Sequence, residues 1–335
     1  MKACFFANAP MDVINVVGFY QTDIRILKEL GFDVTVSNKI SNIPINSDLY
    51  FAYWASSGAK AVMVSKLARK PSVVIAAGSD VARNDPTGTG YDARPIWQKG
   101  IIRWCLKAAD AIVADSKDVE KEARALGTKN LYMVYFGVDT NIYKPSTSPK
   151  EQNFVLVSHI SKQNVDRKRM EDIIRAMKIV IEKYPKATFT FVGTQLEGYP
   201  IVKKLAEELE LPNNIEFVES RGMPEGKKIE YMNRALAFVQ PSLHEGFGLA
   251  MVEAMSCALP VIVTRQGATP EVAGEDAIYV PLKSPESIAK EMLSLLENEE
   301  KVKLVGSKLR QRVIDVFSYE QRKAELKKII ETVMK

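Results

Sequence analysis

Two glutamates, Glu245 and Glu253, flank a glycine-rich turn in the stretch Val239-Gln240-Pro241-Ser242-Leu243-His244-Glu245-Gly246-Phe247-Gly248-Leu249-Ala250-Met251-Val252-Glu253-Ala254-Met255. An apolar strand ends at Gln240, Pro241 and Ser242 turn the chain, and Gly246-Phe247-Gly248 opens directly into a helix. That order makes an anion site. Glycines let backbone approach a ligand, and the free N–H groups and dipole of a helix start favour a phosphate. Glu253 lies about two turns into the helix, at most ~12 Å from Glu245 along the axis at 1.5 Å per residue. A sugar–diphosphate–ribose chain is about that long. Glu245 can then address sugar hydroxyls while Glu253 accepts hydrogen bonds from ribose hydroxyls, because a carboxylate offers two oxygens that only accept. The plain alternative, a solvated loop glutamate and an exposed helix glutamate, leaves Glu253 unexplained. Its neighbours Leu249, Val252, Ala254 and Met255 are apolar, and a buried carboxylate normally has a partner. His244, beside Glu245, reads as an ordinary loop residue.

Short apolar runs alternate with helical periods along the whole chain. Strands are predicted at 3–7, 33–36, 49–53, 72–76, 111–114 and 132–135, with helices at 57–69, 95–108 and 117–126. The polar, proline-punctuated segment Lys144-Pro145-Ser146-Thr147-Ser148-Pro149-Lys150 reads as a linker. The alternation then restarts with strands at 154–158, 188–192, 215–218, 235–240, 261–264 and 278–280, and helices at 167–183, 201–209, 227–234 and 249–257. From Ser284 onward the tail is helical and charged. Such alternation predicts an α/β protein with parallel sheets covered on both faces. The linker divides it into two doubly wound domains, expected to face each other across a cleft.

The length of 335 residues suits two domains of about 150 residues each. No apolar run approaches the roughly 20 residues that span a bilayer, and the first residues read as a β-strand, not a signal peptide. Cys4, Cys105 and Cys257 are odd in number and widely spaced, which suggests neither a disulfide framework nor a metal knuckle. A cytoplasmic setting is expected. The net charge of +5 is concentrated early: residues 1–150 hold 19 Lys and Arg against 14 Asp and Glu, while 151–335 hold 27 of each. That balance is far below a dedicated nucleic-acid binder's, and no zinc finger or RNA-binding aromatic motif is present.

Residues 241–255, read as Pro-Ser-x-x-Glu-Gly-Phe-Gly-Leu-x-x-x-Glu-Ala-Met, resemble the E-x7-E signature of family four of the retaining glycosyltransferases. Leu259-Pro260-Val261-Ile262 with Gly267-Ala268-Thr269-Pro270-Glu271-Val272 is similar to that family's "G-x-P-V-I … G-G-x-x-E-I". Ala109-Asp110-Ala111-Ile112-Val113-Ala114-Asp115-Ser116 resembles its "A-D-x-I-x-A-x-S", and Gly137-Val138-Asp139 with Tyr143-Lys144-Pro145 its "G-V-D … F-x-P". The resemblance runs in order through most of 71–335, while the first 70 residues match only in pattern.

The resemblance implies a GT-B fold of two Rossmann-like domains. Residues 1–145 would be the acceptor side, 151–318 would bind the nucleotide-sugar, and 319–335 would cross back to the first domain. It implies a retaining, metal-independent transfer of a hexose from a UDP- or GDP-sugar to a sugar, glycolipid or other hydroxyl acceptor. No cofactor is implied beyond that donor substrate, and no Asp-x-Asp is placed to hold a divalent cation on a diphosphate. Family members usually supply an Arg and a Lys, in "G-R-L … K-G-x-x-x-L-I-x-A". Lys168-Arg169-Met170-Glu171-Asp172-Ile173-Ile174-Arg175-Ala176 supplies the second element, so Lys168 takes the lysine role. Ser158-His159-Ile160 stands where "G-R-L" is expected, which leaves Arg167, Lys162 or an N–H of His159 to fill the arginine's place. On this resemblance Glu245 and Lys168 are catalytic, and Gly246, Phe247, Gly248, Leu249, Glu253, Lys168, Arg167 and His159 bind the donor. Ile75-Ala76-Ala77-Gly78-Ser79-Asp80 is similar to "H-G-S-D" without its histidine, making Gly78, Ser79 and Asp80 acceptor-side candidates.

Trp97–Lys107 places Lys99, Arg103 and Lys107 on one helical face, and 60–70 adds Lys66, Arg69 and Lys70. Basic amphipathic helices with Trp dock on anionic membranes, although a solvated helix face accounts for the same residues. The other function classes are a non-catalytic nucleotide-sugar-binding protein and a phosphorylase or epimerase on the same fold. A nicotinamide oxidoreductase would need a glycine fingerprint after the first strand, where Asn8-Ala9-Pro10-Met11-Asp12 has none.

Overall fold

The apolar runs become strands of two parallel six-stranded sheets. Strands such as Leu49–Tyr53 and Ser72–Ala76 are buried at every position, as expected where helices cover both faces of a sheet. The computed structural model describes residues 1–83, 88 and 90–335, with only the backbone at Ser79. The chain parts into two units, Met1–Gly137 with Phe317–Lys335, and Val138–Val316.

The first unit runs β1 (Lys2–Phe6), α1 (Met11–Ile14), α2 (Gly18–Glu29), β2 (Asp33–Ser37), β3 (Leu49–Tyr53), α3 (Ala55–Ala68), β4 (Ser72–Ala76), α4 (Ile96–Ala108), β5 (Ala111–Ala114), α5 (Lys117–Ala125) and β6 (Leu131–Met133). Its sheet order is β2-β1-β3-β4-β5-β6, so the winding reverses at β1. Helix α2 was not expected from the sequence. Its inward face holds Tyr20, Ile24, Ile26 and Leu27 but also Asp23, a buried charge that interrupts the apolar stripe.

The second unit runs β7 (Asn153–Val157), α6 (Lys162–Arg167), α7 (Met170–Lys183), β8 (Thr188–Val192), α8 (Tyr199–Glu208), β9 (Ile215–Val218), α9 (Glu225–Arg234), β10 (Ala237–Gln240), α10 (Leu249–Ser256), β11 (Val261–Val263), α11 (Thr269–Ala273), β12 (Ile278–Tyr279), α12 (Pro285–Glu297) and α13 (Glu299–Val316). Its order is β12-β11-β10-β7-β8-β9. Strands β7 and β10 are neighbours here, and from them the chain winds outward in opposite directions. Doubly wound sheets bind ligands outside the carboxyl ends of the strands at such a point. The helix expected at 167–183 begins only at Met170, and a separate short helix that was not expected, α6, precedes it. Helix α6 ends at Arg167, and Arg169 takes φ +53° before α7 begins.

The last helix, α14 (Tyr319–Val333), belongs to the first unit. Arg322 on α14 is fully buried and meets Asp23 of α2 with two bonds, Nε–Oδ1 at 2.6 Å and Nη2–Oδ2 at 2.7 Å. The Tyr53 hydroxyl donates to Asp23 Oδ2 at 2.5 Å, and Arg322 donates to the Tyr135 carbonyl at 2.8 Å. A buried ion pair is tolerated only when its remaining donors and acceptors are satisfied in this way.

Candidate functional site

Gln240 ends β10 beside the carboxyl end of β7, and the turn after it carries Glu245. The Glu245 carboxylate is buried, and three groups converge on its Oε1: Lys168 Nζ and Ser242 Oγ each donate to it at 2.9 Å, and Arg167 Nη1 forms an ion pair with it at 2.8 Å. Burial pushes the carboxyl up, but the charges of Lys168 and Arg167 and the bonds from Lys168 and Ser242 outweigh it and hold the group at about 2. Lys168 is buried too, and desolvation lowers its ammonium to about 8 against the pull of Glu245, with Arg167 adding repulsion. Two of the three Lys168 N–H bonds are taken up, by Glu245 and by Gln240 Oε1 at 2.8 Å.

That second bond fixes the Gln240 amide, since only its oxygen can accept from an ammonium. Its Nε2 is then left buried without a hydrogen-bond partner, 3.7 Å from where a Cβ on Gly248 would lie. A buried amide donor with no acceptor is costly unless a ligand completes it.

Local structure explains how the cations come together. Ser161 caps α6 by accepting from the Asn164 N–H at 3.1 Å. The α6 terminus is locked to the loop, because the Leu243 N–H donates to the Arg167 carbonyl at 2.7 Å. The Arg167 side chain also donates to the His244 carbonyl at 3.3 Å and to Asn164 Oδ1 at 3.0 Å. The left-handed turn at Arg169 swings that guanidinium away onto Asp172, at 2.8 and 2.9 Å. Gly248, at φ +87°, starts α10 from the left-handed region that a side chain would strain. Gly267 closes the other side, where a Cβ would come within 2.3 Å of the Glu245 carbonyl oxygen, which accepts from Ala268 N–H at 2.8 Å.

Glu253 is buried on α10, and its Oε2 accepts from Lys228 Nζ of α9 at 3.1 Å. Desolvation raises the Glu253 carboxyl despite that lysine, with Glu225 nearby adding to the rise. Lys228 also pairs with Glu225 at 2.9 Å. The sequence reading missed Lys228, Gln240 and Ser242. Nothing in their types marks them: Ser242 shares the turn of Glu245, while Gln240 and Lys228 enter only through long-range bonds to Lys168 and Glu253.

His159 is not part of this cluster. Its side chain is exposed, and its carbonyl accepts from Ser158 Oγ at 3.2 Å and Asn164 Nδ2 at 3.0 Å. Lys162, the first residue of α6, is exposed as well. The guanidinium beside Lys168 is therefore that of Arg167. Gly246 is half-buried, Phe247 is buried and Leu249 begins α10.

In the first unit Gly78, at φ +55°, starts a short turn after β4. The Asp80 carboxylate is turned inward, accepting from Ser56 Oγ at 2.8 Å, with Arg94 at 3.8 Å. Burial raises its carboxyl, while Ser56 and Arg94 oppose the rise. The Ser79 side chain lies outside the described residues.

A cavity of about 620 Å³ under the linker, walled by Pro149, Cys257 and Val302 among others, contains none of the Glu245 cluster. Among the described residues no group of three His, Cys, Asp or Glu side chains is placed to hold a metal ion, and no helix is long and apolar enough to cross a membrane.

Two doubly wound units, the second with a buried charged cluster at its switch point, define a Rossmann-like α/β protein of the GT-B kind. The chain belongs to the glycosyl transferases group 1 family, which it matches over residues 138–312. It is 26% identical over 232 residues to MMP alpha-(1->4)-mannosyltransferase of Mycolicibacterium hassiacum, covering 68% of this chain and 54% of that one. It is 25% identical over 236 residues to N-acetyl-alpha-D-glucosaminyl L-malate synthase of Bacillus anthracis, covering 66% and 59%. The chain thus spans little more than half the length of these relatives. In fold it is similar to Anabaena HepE, solved in complex with UDP, at a TM-score of 0.76 and 17% identity over 99% of this chain and 100% of that one.

Proposed function

We propose that the protein is a retaining glycosyltransferase that moves a hexose from a UDP- or GDP-sugar to a hydroxyl acceptor without a metal. The observation that carries this reading is the buried Glu245 with Arg167 and Lys168 both on its Oε1, beside the glycine-opened start of α10. Two cations against one carboxylate leave net positive charge where a diphosphate would sit. The unpaired Gln240 amide adds a donor on the same side. Among the described residues all the partners of Glu245 meet Oε1, so Oε2 is left to accept from a sugar hydroxyl.

The bond from the anomeric carbon to the diphosphate oxygen breaks while the acceptor oxygen bonds to the same carbon from the same face. The acceptor proton passes to the departing diphosphate oxygen. Lys168, Arg167 and the 246–249 amides meet the charge that grows there, which is where preorganised donors lower a barrier most. Glu253 is the ribose partner in this reading, with Lys228 holding its carboxylate in place. Gly78 to Asp80 of the first unit are the acceptor-side residues that the resemblance assigns.

The test is hydrolysis of UDP- and GDP-hexoses without acceptor, with the anomeric configuration of the released sugar read by proton NMR. Release of the α-anomer first, lost in Glu245→Gln, is expected. Binding of a nucleotide-sugar with no turnover by any donor and acceptor pair would instead favour a binding protein. Turnover should survive EDTA, because protein cations supply the charge; loss restored by Mg²⁺ or Mn²⁺ would overturn metal independence.

A further inference from the structure

The first unit carries a surface that this chemistry does not use. Helix α4 buries Ile102, Cys105 and Leu106 against the sheet, and packing requires no more apolar surface than that face. Yet Trp97, Ile101 and Trp104 recur on its outer side, Trp97 at 65% exposure, and Ile96 at the helix start is 88% exposed. At 100° per residue Trp97, Ile101 and Trp104 form one stripe, and Lys99, Arg103 and Lys107 form a second stripe beside it, with Ile96 at the head of the second. Helix α3 repeats the arrangement, with Met63 and Leu67 exposed, Leu67 at 72%, near Lys66, Arg69 and Lys70. Both helices connect adjacent parallel strands, and their buried residues Ala59, Val62, Ile102 and Leu106 share one core cluster, so they cover the same sheet face side by side.

The charges fit one kind of partner. Lys66–Asp110 at 2.7 Å and Lys70–Asp48 at 3.4 Å are exposed pairs of small worth. Among the described residues no carboxylate pairs with Arg69, Lys99, Arg103 or Lys107. A protein partner would need acids placed to match. A bilayer supplies anionic charge with no fixed geometry, and its interface accepts the apolar body and polar edge of Trp. Contiguous exposed apolar surface rimmed by cations marks such contact, whereas single exposed residues do not. We infer that α3 and α4 form a docking face for an anionic lipid bilayer.

Flotation with vesicles of phosphatidylcholine, alone or with about 30 mol% phosphatidylglycerol, tests this without any turnover. The full chain should float with the anionic vesicles only, and less so as salt rises. Each cation near a charged surface is worth about fivefold in binding, so Arg103→Glu with Lys107→Glu should weaken it by at least roughly 25-fold. Trp97→Ala with Trp104→Ala should abolish it, with nucleotide-sugar hydrolysis and thermal unfolding unchanged. Trp97 and Trp104 are two of the three tryptophans, so anionic vesicles should also blue-shift the intrinsic fluorescence. Absence of flotation, or flotation unaltered in both variants, would overturn the inference. So would a wild-type dimer that the Trp variant dissolves while neither binds vesicles, which would make the face an interface between two copies. A failure of hydrolysis alone would bear on the transferase reading and leave the docking face standing.

Discussion

Lys168 carries the sharpest consequences of the charged cluster. Its ammonium, lowered to about 8 by burial, loses its proton in the folded protein well before an ordinary lysine would. Donor capture needs the charged form, so kcat/KM, which reports the free enzyme, should fall as pH rises through about 8. Lys168→Arg should remove that alkaline limb because a guanidinium stays protonated. Lys168→Ala should cost at least ~10²-fold in kcat, the range for losing one electrostatic stabiliser. Arg167→Ala should approach that defect, while His159→Phe should leave kcat unaltered, since only the His159 backbone is engaged. Glu245 runs the other way. Its folded value of about 2 lies below the ordinary 4.5, so ionisation favours folding. That contribution is complete above the ordinary carboxylate range and is lost as pH falls toward 2. Glu253→Gln should weaken nucleotide-diphosphate binding by roughly 1.5–3 kcal/mol, measured by calorimetry, with Glu245→Gln nearly neutral in that assay. Equal losses would refute the division of labour between the two carboxylates.

Among the helices and strands, what was legible followed from whether the signal is local. Strands buried on both faces read as apolar runs, and β3, β4, β5 and β8 match their expected limits, as does the less buried edge strand β9. Helix α2 did not show, because Asp23 breaks its stripe and the group that satisfies it comes from Arg322, 299 residues away. The break between α6 and α7 did not show either. A left-handed turn usually announces itself with glycine, but here Arg169 adopts it, stabilised by Asp172. The candidate site divides the same way. Glu245, Glu253, Lys168 and the glycine turn follow from local spacing, while Gln240 and Lys228 enter only through long-range bonds to Lys168 and Glu253. The Asp23–Arg322 pair gives these elements a direct test. Arg322→Ala leaves a buried carboxylate uncompensated and should cost about 3–5 kcal/mol in urea unfolding. Replacing both partners by Leu and Met should cost much less, since no lone charge remains.

For the chain as a whole, the family match over 138–312 lies inside the second unit, and the first 70 residues were legible only as a pattern. The second unit is one continuous stretch of chain, whereas the first is completed by Phe317–Lys335. This has a temporal meaning during synthesis. As the polypeptide leaves the ribosome from its amino end, everything needed for 138–316 is present before the first unit has its last helix. Until α14 emerges, Asp23 is a carboxylate without its guanidinium, facing Tyr53 and an unfilled groove. The part made first should therefore be the part finished last. A chain stopped after Val316 should show a protease-resistant 138–316 and a labile 1–137, and adding a 317–335 peptide in trans should restore protection to the latter.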